Sequence, residues 1–141
     1  MPLEKGFDPL IVAFCCQWCS YAGGDMAGTS RLVYPANVRV IRVPCTGRVS
    51  PNLVLRAFQR GADAVLIAGC HPGECHYICG NNLASRRFQL FGHLLEYIGM
   101  EAERFALHWI SASEGSKFAR IMTETTETIR ALGPNKLRDN T

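Results

Sequence analysis

Leu10–Phe14 reads LIVAF and Ala64–Ala68 reads AVLIA, and cysteines follow each run, Cys15-Cys16 after the first and Cys70 after the second. Continuous apolar runs of this length are strands covered on both faces, as in a parallel sheet with helices on either side. Val38–Val43 (VRVIRV) is β-branched and alternating, and Phe105–Ile110 is a fourth, weaker strand. Helical stretches lie between them. Tyr21–Tyr34 is one, weakened by Gly23, Gly24 and Gly28. Ser50-Pro51 reads as an N-cap followed by a first-turn proline, opening a helix that runs to about Arg60 and is closed by Gly61. A third spans about Asn82 to Ile98, with Leu83, Phe88, Phe91, Leu94, Leu95 and Ile98 near helical spacing and Gly99 as its stop. The last begins at Ser113 or Ser116 and ends at Leu132-Gly133-Pro134. This alternation predicts a single α/β domain over residues 1–141: a flavodoxin-like (βα)4 three-layer sandwich with a parallel sheet in the order 2-1-3-4. The core is expected over residues 8–133, with a polar tail over 134–141.

The chain has 141 residues and a mass of 15.6 kDa, long enough to bury a core without disulfide staples. A hydrophobic fraction of 48% and a charged fraction of 19% exclude wholesale disorder. Leu10–Cys16 falls well short of the about 20 residues a membrane span needs. Glu4, Lys5 and Asp8 precede it, so it does not read as a signal peptide. The expectation is a cytoplasmic protein with no membrane span. A net charge of +3 is too mild for a nucleic-acid footprint. Arg39, Arg42, Arg48, Arg86 and Arg87 read as solvated surface, the alternative being a docking patch around Arg39, Arg42 and Arg48 near Cys45. Gly23, Gly24 and Gly28 match neither a dinucleotide fingerprint nor a P-loop. No carboxylate pair or Ser-His-Asp set suggests hydrolysis.

Seven cysteines are the unusual feature, and an odd number cannot all pair within one chain. Cys15, Cys16 and Cys19 are expected after strand one, Cys45 after strand two, and Cys70 and Cys75 after strand three, with Cys79 a turn later. In a 2-1-3 order these loops are neighbours on one edge of the sheet, at strand spacings of about 4.8 Å. Cys16-x-x-Cys19 and Cys70-x4-Cys75 are chelating pairs, with Cys45 within reach of both. Gathered thiolates suit an iron–sulfur cluster or zinc. The plainer reading, a buried thiol acting as a small hydrophobe, suits Cys79 and to a degree Cys15. Two rivals stand beside an iron–sulfur protein. One is a zinc-bound scaffold, although six thiols exceed a zinc shell. The other is a thiol–disulfide oxidoreductase built on Cys16-Gln17-Trp18-Cys19, which leaves Cys45, Cys70 and Cys75 without a role. His71 and His76 each follow a cysteine directly, so the side chains of each Cys-His dipeptide tend to point apart. That argues against Rieske-type ligation and for hydrogen bonding to cluster sulfur, or plain loop positions. Trp18, Tyr21 and Tyr77 read as an aromatic lid held by ordinary packing.

FCCQWCSYAG (14–23), RVPCTGRV (42–49), GCHPGECHY (69–77) and HWISASEG (108–115), in this order, resemble the delta subunit family of methyl-viologen-reducing hydrogenase over about residues 8–133. The resemblance implies an electron-transfer protein with one [2Fe–2S] cluster. It implies relay from a hydrogenase small subunit, or a formate dehydrogenase, to the flavoprotein subunit of a flavin-bifurcating heterodisulfide reductase. As cluster residues it implies Cys15, Cys16, Cys19, Cys45, Cys70 and Cys75, and it leaves out Cys79. Within these six, the chelating pairs Cys16/Cys19 and Cys70/Cys75 are the favoured ligands, with Cys45 competing. A leftover pair beside the cluster is then a place for a disulfide.

Overall fold

A computed structural model describes residues 7–136. Its strands are β1 (Ile11–Cys16), β2 (Val38–Val43), β3 (Ala64–Gly69) and β4 (Phe105–Trp109), all parallel, in the order β2-β1-β3-β4. The helices α1 (Ser20–Thr29), α2 (Pro51–Gln59), α3 (Gly80–Tyr97) and α4 (Gly115–Leu132) follow the strands one by one. Strand alternation divides the core into two halves. Ile11, Ala13 and Cys15 of β1 pack with Leu66 of β3 against Ala27 of α1 and Phe118 of α4. The alternate residues Phe14, Val65 and Ile67 pack against Phe58 of α2 and Phe88 and Phe91 of α3. The result is the three-layer α/β sandwich that the apolar runs predict. The central strand β3 is buried along its whole length, whereas the edge strand β4 is only partly covered.

The Ser50-Pro51 signal works as expected. Ser50 Oγ accepts the Leu53 N–H at 3.4 Å, and Gly61 closes the turn with φ 111°. Elsewhere the boundaries move. β1 runs through Cys15 and Cys16, because these residues pair with Arg42 and Val43 of β2, and Cys15 also pairs with Ala68 of β3. Two cysteines therefore lie inside a strand rather than after it. α1 is shorter than its pattern suggests, stopping at Thr29 before Arg31 takes a left-handed conformation with φ 56°. Arg39 and Arg42 stand at odd and even positions of β2 and so leave on opposite faces. Arg42 lies over the Tyr21 ring at 5.4 Å, which separates it from Arg39. At the other end, Asn135 is buried and tied to the loop before β3, so the segment after α4 is docked as far as it is described. Residues 1–6, with Glu4 and Lys5, and residues 137–141 of the expected tail lie outside the described residues.

Gly23 of α1 and Gly115 of α4 serve close packing, whereas Gly28 faces open space. A Cβ on Gly23 would stand 2.9 Å from the Ser111 carbonyl oxygen, and one on Gly115 would stand 2.9 Å from the Ala27 backbone nitrogen. Backbone thus meets backbone where α1 crosses the start of α4. On helix propensity alone, alanine at Gly115, the first residue of α4, would stabilise by less than the about 1 kcal/mol of an interior position. The overpacking here works the other way, so Gly115→Ala is expected to destabilise by about 1–3 kcal/mol. Thermal denaturation reads the sign, and a raised melting temperature would refute the close packing.

Candidate metal centre

The carboxyl ends of β1, β2 and β3 lie side by side, and the loops leaving them carry sulfur. Cys16 is the last residue of β1, Cys19 is the N-cap of α1, and Cys70 directly follows β3. The sulfurs of these three buried residues lie within 4.8 Å of one another, with Cys16 Sγ 3.8 Å from Cys70 Sγ. Cys75 packs against this trio. Cys45, at the start of a 3-10 turn (Thr46–Arg48), places its Sγ 4.0 Å from Cys75 Sγ. Five thiols from three loops thus form one contiguous group. Cys15 is not brought to it. Strand alternation turns its side chain the other way, into the apolar core between the sheet, α1 and α4, where it is fully buried. Cys79 is exposed at the N-cap of α3, not a buried hydrophobe.

The thiols polarise one another. Cys16 is lowered to about 6, chiefly because the Cys19 thiol donates to it, with the backbone N–H groups of Trp18 and Cys19 helping against burial. Cys19 is raised, first by that same interaction and then by burial. Burial raises Cys45 and Cys70. At Cys75 burial also pushes upward, but hydrogen bonds from the backbone N–H groups of Asn81, Tyr77 and Gly80 outweigh it, and the net shift is downward. Cys15, in its apolar surroundings, is pushed up to about 12 by burial. Thiolate is therefore favoured at Cys16 and Cys75 and opposed at Cys19, Cys45 and Cys70, as it is at Cys15.

His71 bonds outside the sulfur group, and His76 is stacked on a neighbouring ring. His71 Nε2 bonds Glu114 Oε1, and Glu114 also accepts the Ser111 N–H at 2.9 Å. This links the β3–α3 loop to the start of α4, where Glu114, not Ser113 or Ser116, is the N-cap. Its negative charge suits that helix end. His76 lies parallel to Trp18, ring centroids 3.7 Å apart, and Trp18 Nε1 donates to Tyr77 Oη at 3.4 Å. Trp18, His76 and Tyr77 make a half-exposed aromatic layer spanning the two cysteine-bearing loops. Tyr21 belongs instead to the α1/α4 core.

Glu114 is held at about 2, against a usual 4.5, first by the Ser111 N–H and then by His71. A carboxylate lowered in the folded state adds stability that is present above its unfolded value and lost as pH falls through the folded one. Glu114→Gln is expected to flatten the decline in melting temperature between pH 4.5 and about 2. Parallel curves for wild type and variant across that window would refute the link.

The donor set is chemically uniform, since thiolates are the soft ligands that favour iron–sulfur clusters, zinc or cuprous copper. Four would complete either a zinc shell or a two-iron cluster, and this edge holds five. The residues present therefore fit an iron–sulfur group.

A parallel α/β sandwich that concentrates thiols on the carboxyl edge of its sheet defines a class of small cysteine-centred proteins. Residues 11–133 match the family described as methyl-viologen-reducing hydrogenase, delta subunit, and the chain belongs to that family. It is 48% identical over 139 residues to an iron-sulfur subunit of the vhc F420-non-reducing hydrogenase of Methanococcus voltae, covering 99% of this chain and 96% of that one. It is 52% identical over 134 residues to an iron-sulfur subunit of the F420-non-reducing hydrogenase of Archaeoglobus profundus, covering 95% and 98%. It is also 46% identical over 131 residues to one of the subunits of the ferredoxin:CoB-CoM heterodisulfide reductase of Methanosarcina mazei, covering 93% of this chain but 16% of that longer one.

Proposed function

We propose that this protein is a cytoplasmic electron-transfer subunit carrying one [2Fe–2S] cluster. It relays electrons from a hydrogenase or a formate dehydrogenase to a flavin-bifurcating heterodisulfide reductase. The observation that carries the reading is the convergence of five sulfurs from three loops, with Cys16 and Cys70 3.8 Å apart and Cys45 and Cys75 4.0 Å apart. A [2Fe–2S] cluster, once bound, supplies a one-electron carrier that needs no side-chain proton chemistry. The work of the chain is to present thiolates, direct backbone N–H groups at them and limit water. Cys16, Cys19, Cys70, Cys75 and Cys45 are the residues that would hold the cluster. The layer of Trp18, His76 and Tyr77 screens this region from solvent while keeping it near the surface.

The match within the Methanosarcina mazei protein supports this choice of partner. There a domain like this one lies within a much longer heterodisulfide reductase chain. A domain found both as a separate chain and inside a larger one is consistent with the separate chain docking on a relative of the larger one. A heterodisulfide reductase flavoprotein subunit on one side and a hydrogenase small subunit or formate dehydrogenase on the other are the expected neighbours.

One observation favours a second reading. The lowered Cys16 beside a raised Cys19 is the polarity of an attacking and a resolving thiol. Anaerobic purification separates the readings. Broad visible absorption, about two irons per chain and an EPR signal on one-electron reduction support the relay. A colourless chain that reduces insulin disulfides supports the oxidoreductase. About one zinc and no iron per chain supports a scaffold.

A further inference from the structure

We propose that Gly80 and Asn81, the first two residues of α3, are positioning residues for the metal centre: Gly80 leaves room for the Cys45 sulfur, and Asn81 holds the Cys70 end of the β3–α3 loop, which also carries Cys75, against the start of α3. This rests on the reading above and extends it to residues that supply no metal-binding atom. A Cβ built on Gly80 would stand 2.3 Å from Cys45 Sγ and 3.3 Å from Cys75 Sγ. Real Cβ atoms do not approach sulfur that closely, so any larger residue displaces Cys45 or moves the helix. Gly47 faces it, and a Cβ there would stand 3.0 Å from the Gly80 carbonyl oxygen. The contact is clamped, because Arg87 of α3 donates to the Gly47 and Val49 carbonyls at 2.9 Å each.

Asn81 is fully buried, and its Nδ2 donates to the carbonyls of Cys70 and His71 at 2.9 Å each. Its backbone N–H, with those of Tyr77 and Gly80, bonds Cys75. One turn of helix therefore fixes Cys70 through its carbonyl, Cys75 through N–H donors and Cys45 through the absence of a side chain. Hydrogen bonds to ligand sulfur tune the reduction potential of an iron–sulfur cluster, and outer residues that orient ligands govern affinity.

The test uses the full chain, loaded anaerobically with iron and sulfide, as wild type, Gly80→Ala, Cys45→Ala and the double variant. Gly80→Ala is expected to weaken iron retention against a chelator by about 10-fold or more and to shift the midpoint potential. In the Cys45→Ala background the same change is expected to alter neither. Wild-type retention and potential in Gly80→Ala would overturn the proposal, and so would an equal effect in both backgrounds, which would trace it to helix packing. Asn81→Asp, nearly the same shape but without the two donors and with a charge beside Cys70, is expected to lower the midpoint potential. An unchanged potential overturns the role of Asn81. A wild-type chain that binds no iron refutes the metal reading instead. The apo melting temperatures then still show whether Gly80→Ala is harmful only when the Cys45 sulfur is present.

Discussion

Cys70→Ala is expected to empty the protein of iron while leaving it folded. Cys70 leaves the central strand β3 and sits at the middle of the sulfur group, 3.8 Å from Cys16 Sγ and within 4.8 Å of Cys19 Sγ. Its carbonyl is the anchor for Asn81. Outer residues around a metal site already cost 10–100-fold in affinity. Loss of a thiol at the centre should cost more, leaving under about a tenth of wild-type iron and no EPR signal on reduction. The fold should hardly suffer, because one buried sulfur contributes about 1 kcal/mol of packing and its removal separates thiols that repel one another when ionised. Cys15→Ala is the control, the same chemical change one strand pairing away. Its thiol is enclosed beside Ile11 and Ala13, on the face of the sheet turned away from the other sulfurs. That variant is expected to keep its iron and lose about the same stability. Iron retained in Cys70→Ala and lost in Cys15→Ala would show that the sulfur group is not the binding site.

The contrast between these two cysteines also shows what can be read from a sequence of this kind. The fold was legible because the short apolar runs of β1 and β3 fit strands buried on both faces, and because Ser50-Pro51 is a local signal that acts within one turn. Right-handed crossovers then place each helix on its face once an order is chosen, and the flavodoxin-like order 2-1-3-4 is the one the structure shows. The gathering of sulfur was legible from the same pattern, since loops after neighbouring strands share an edge. The side of the sheet each sulfur faces was not. It depends on whether β1 ends at Phe14 or at Cys16, and pairing with Arg42 and Val43 decides that from a distance. Gly80 was hidden for a related reason. A glycine before two asparagines reads as a loop, and the atom that forbids a side chain there belongs to Cys45, on another strand's loop. Glu114 was overlooked because serines on either side are the better-known helix caps, while its partners are the Ser111 N–H in its own turn and His71 from a different loop.

At the opposite edge of the sheet, Arg104→Leu is expected to be the most damaging single change to stability. Arg104 is 1% exposed, in a 3-10 turn (Ala102–Arg104) just before β4. Its Nε bonds Glu101 Oε2 at 2.7 Å, one terminal nitrogen donates to the Asp63 carbonyl at 3.0 Å, and the other donates to the Gly133 carbonyl at 2.8 Å. Asp63 in turn accepts the Leu10 N–H and the Asn135 N–H, each at 2.9 Å. The starts of β1, β3 and β4 and the exit of α4 are thus drawn onto one buried network. Leucine fills the space but leaves the buried Asp63 carbonyl without its donor and takes a donor from the part-buried Gly133 carbonyl. Each buried acceptor left without its donor costs about 1–3 kcal/mol, so the loss of these bonds is expected to cost about 3 kcal/mol. For a chain near this size that lowers the melting temperature by about 10 °C. Arg104→Lys keeps the charge but not the planar fork, so it should recover only part of the loss. Because the network lies at the amino ends of the strands and the thiols at the carboxyl ends, iron content and EPR signal per folded chain should stay at wild-type values. A melting temperature within about 3 °C of wild type would refute the network's role in stability, and an altered EPR signal would show that the two edges are coupled through the sheet.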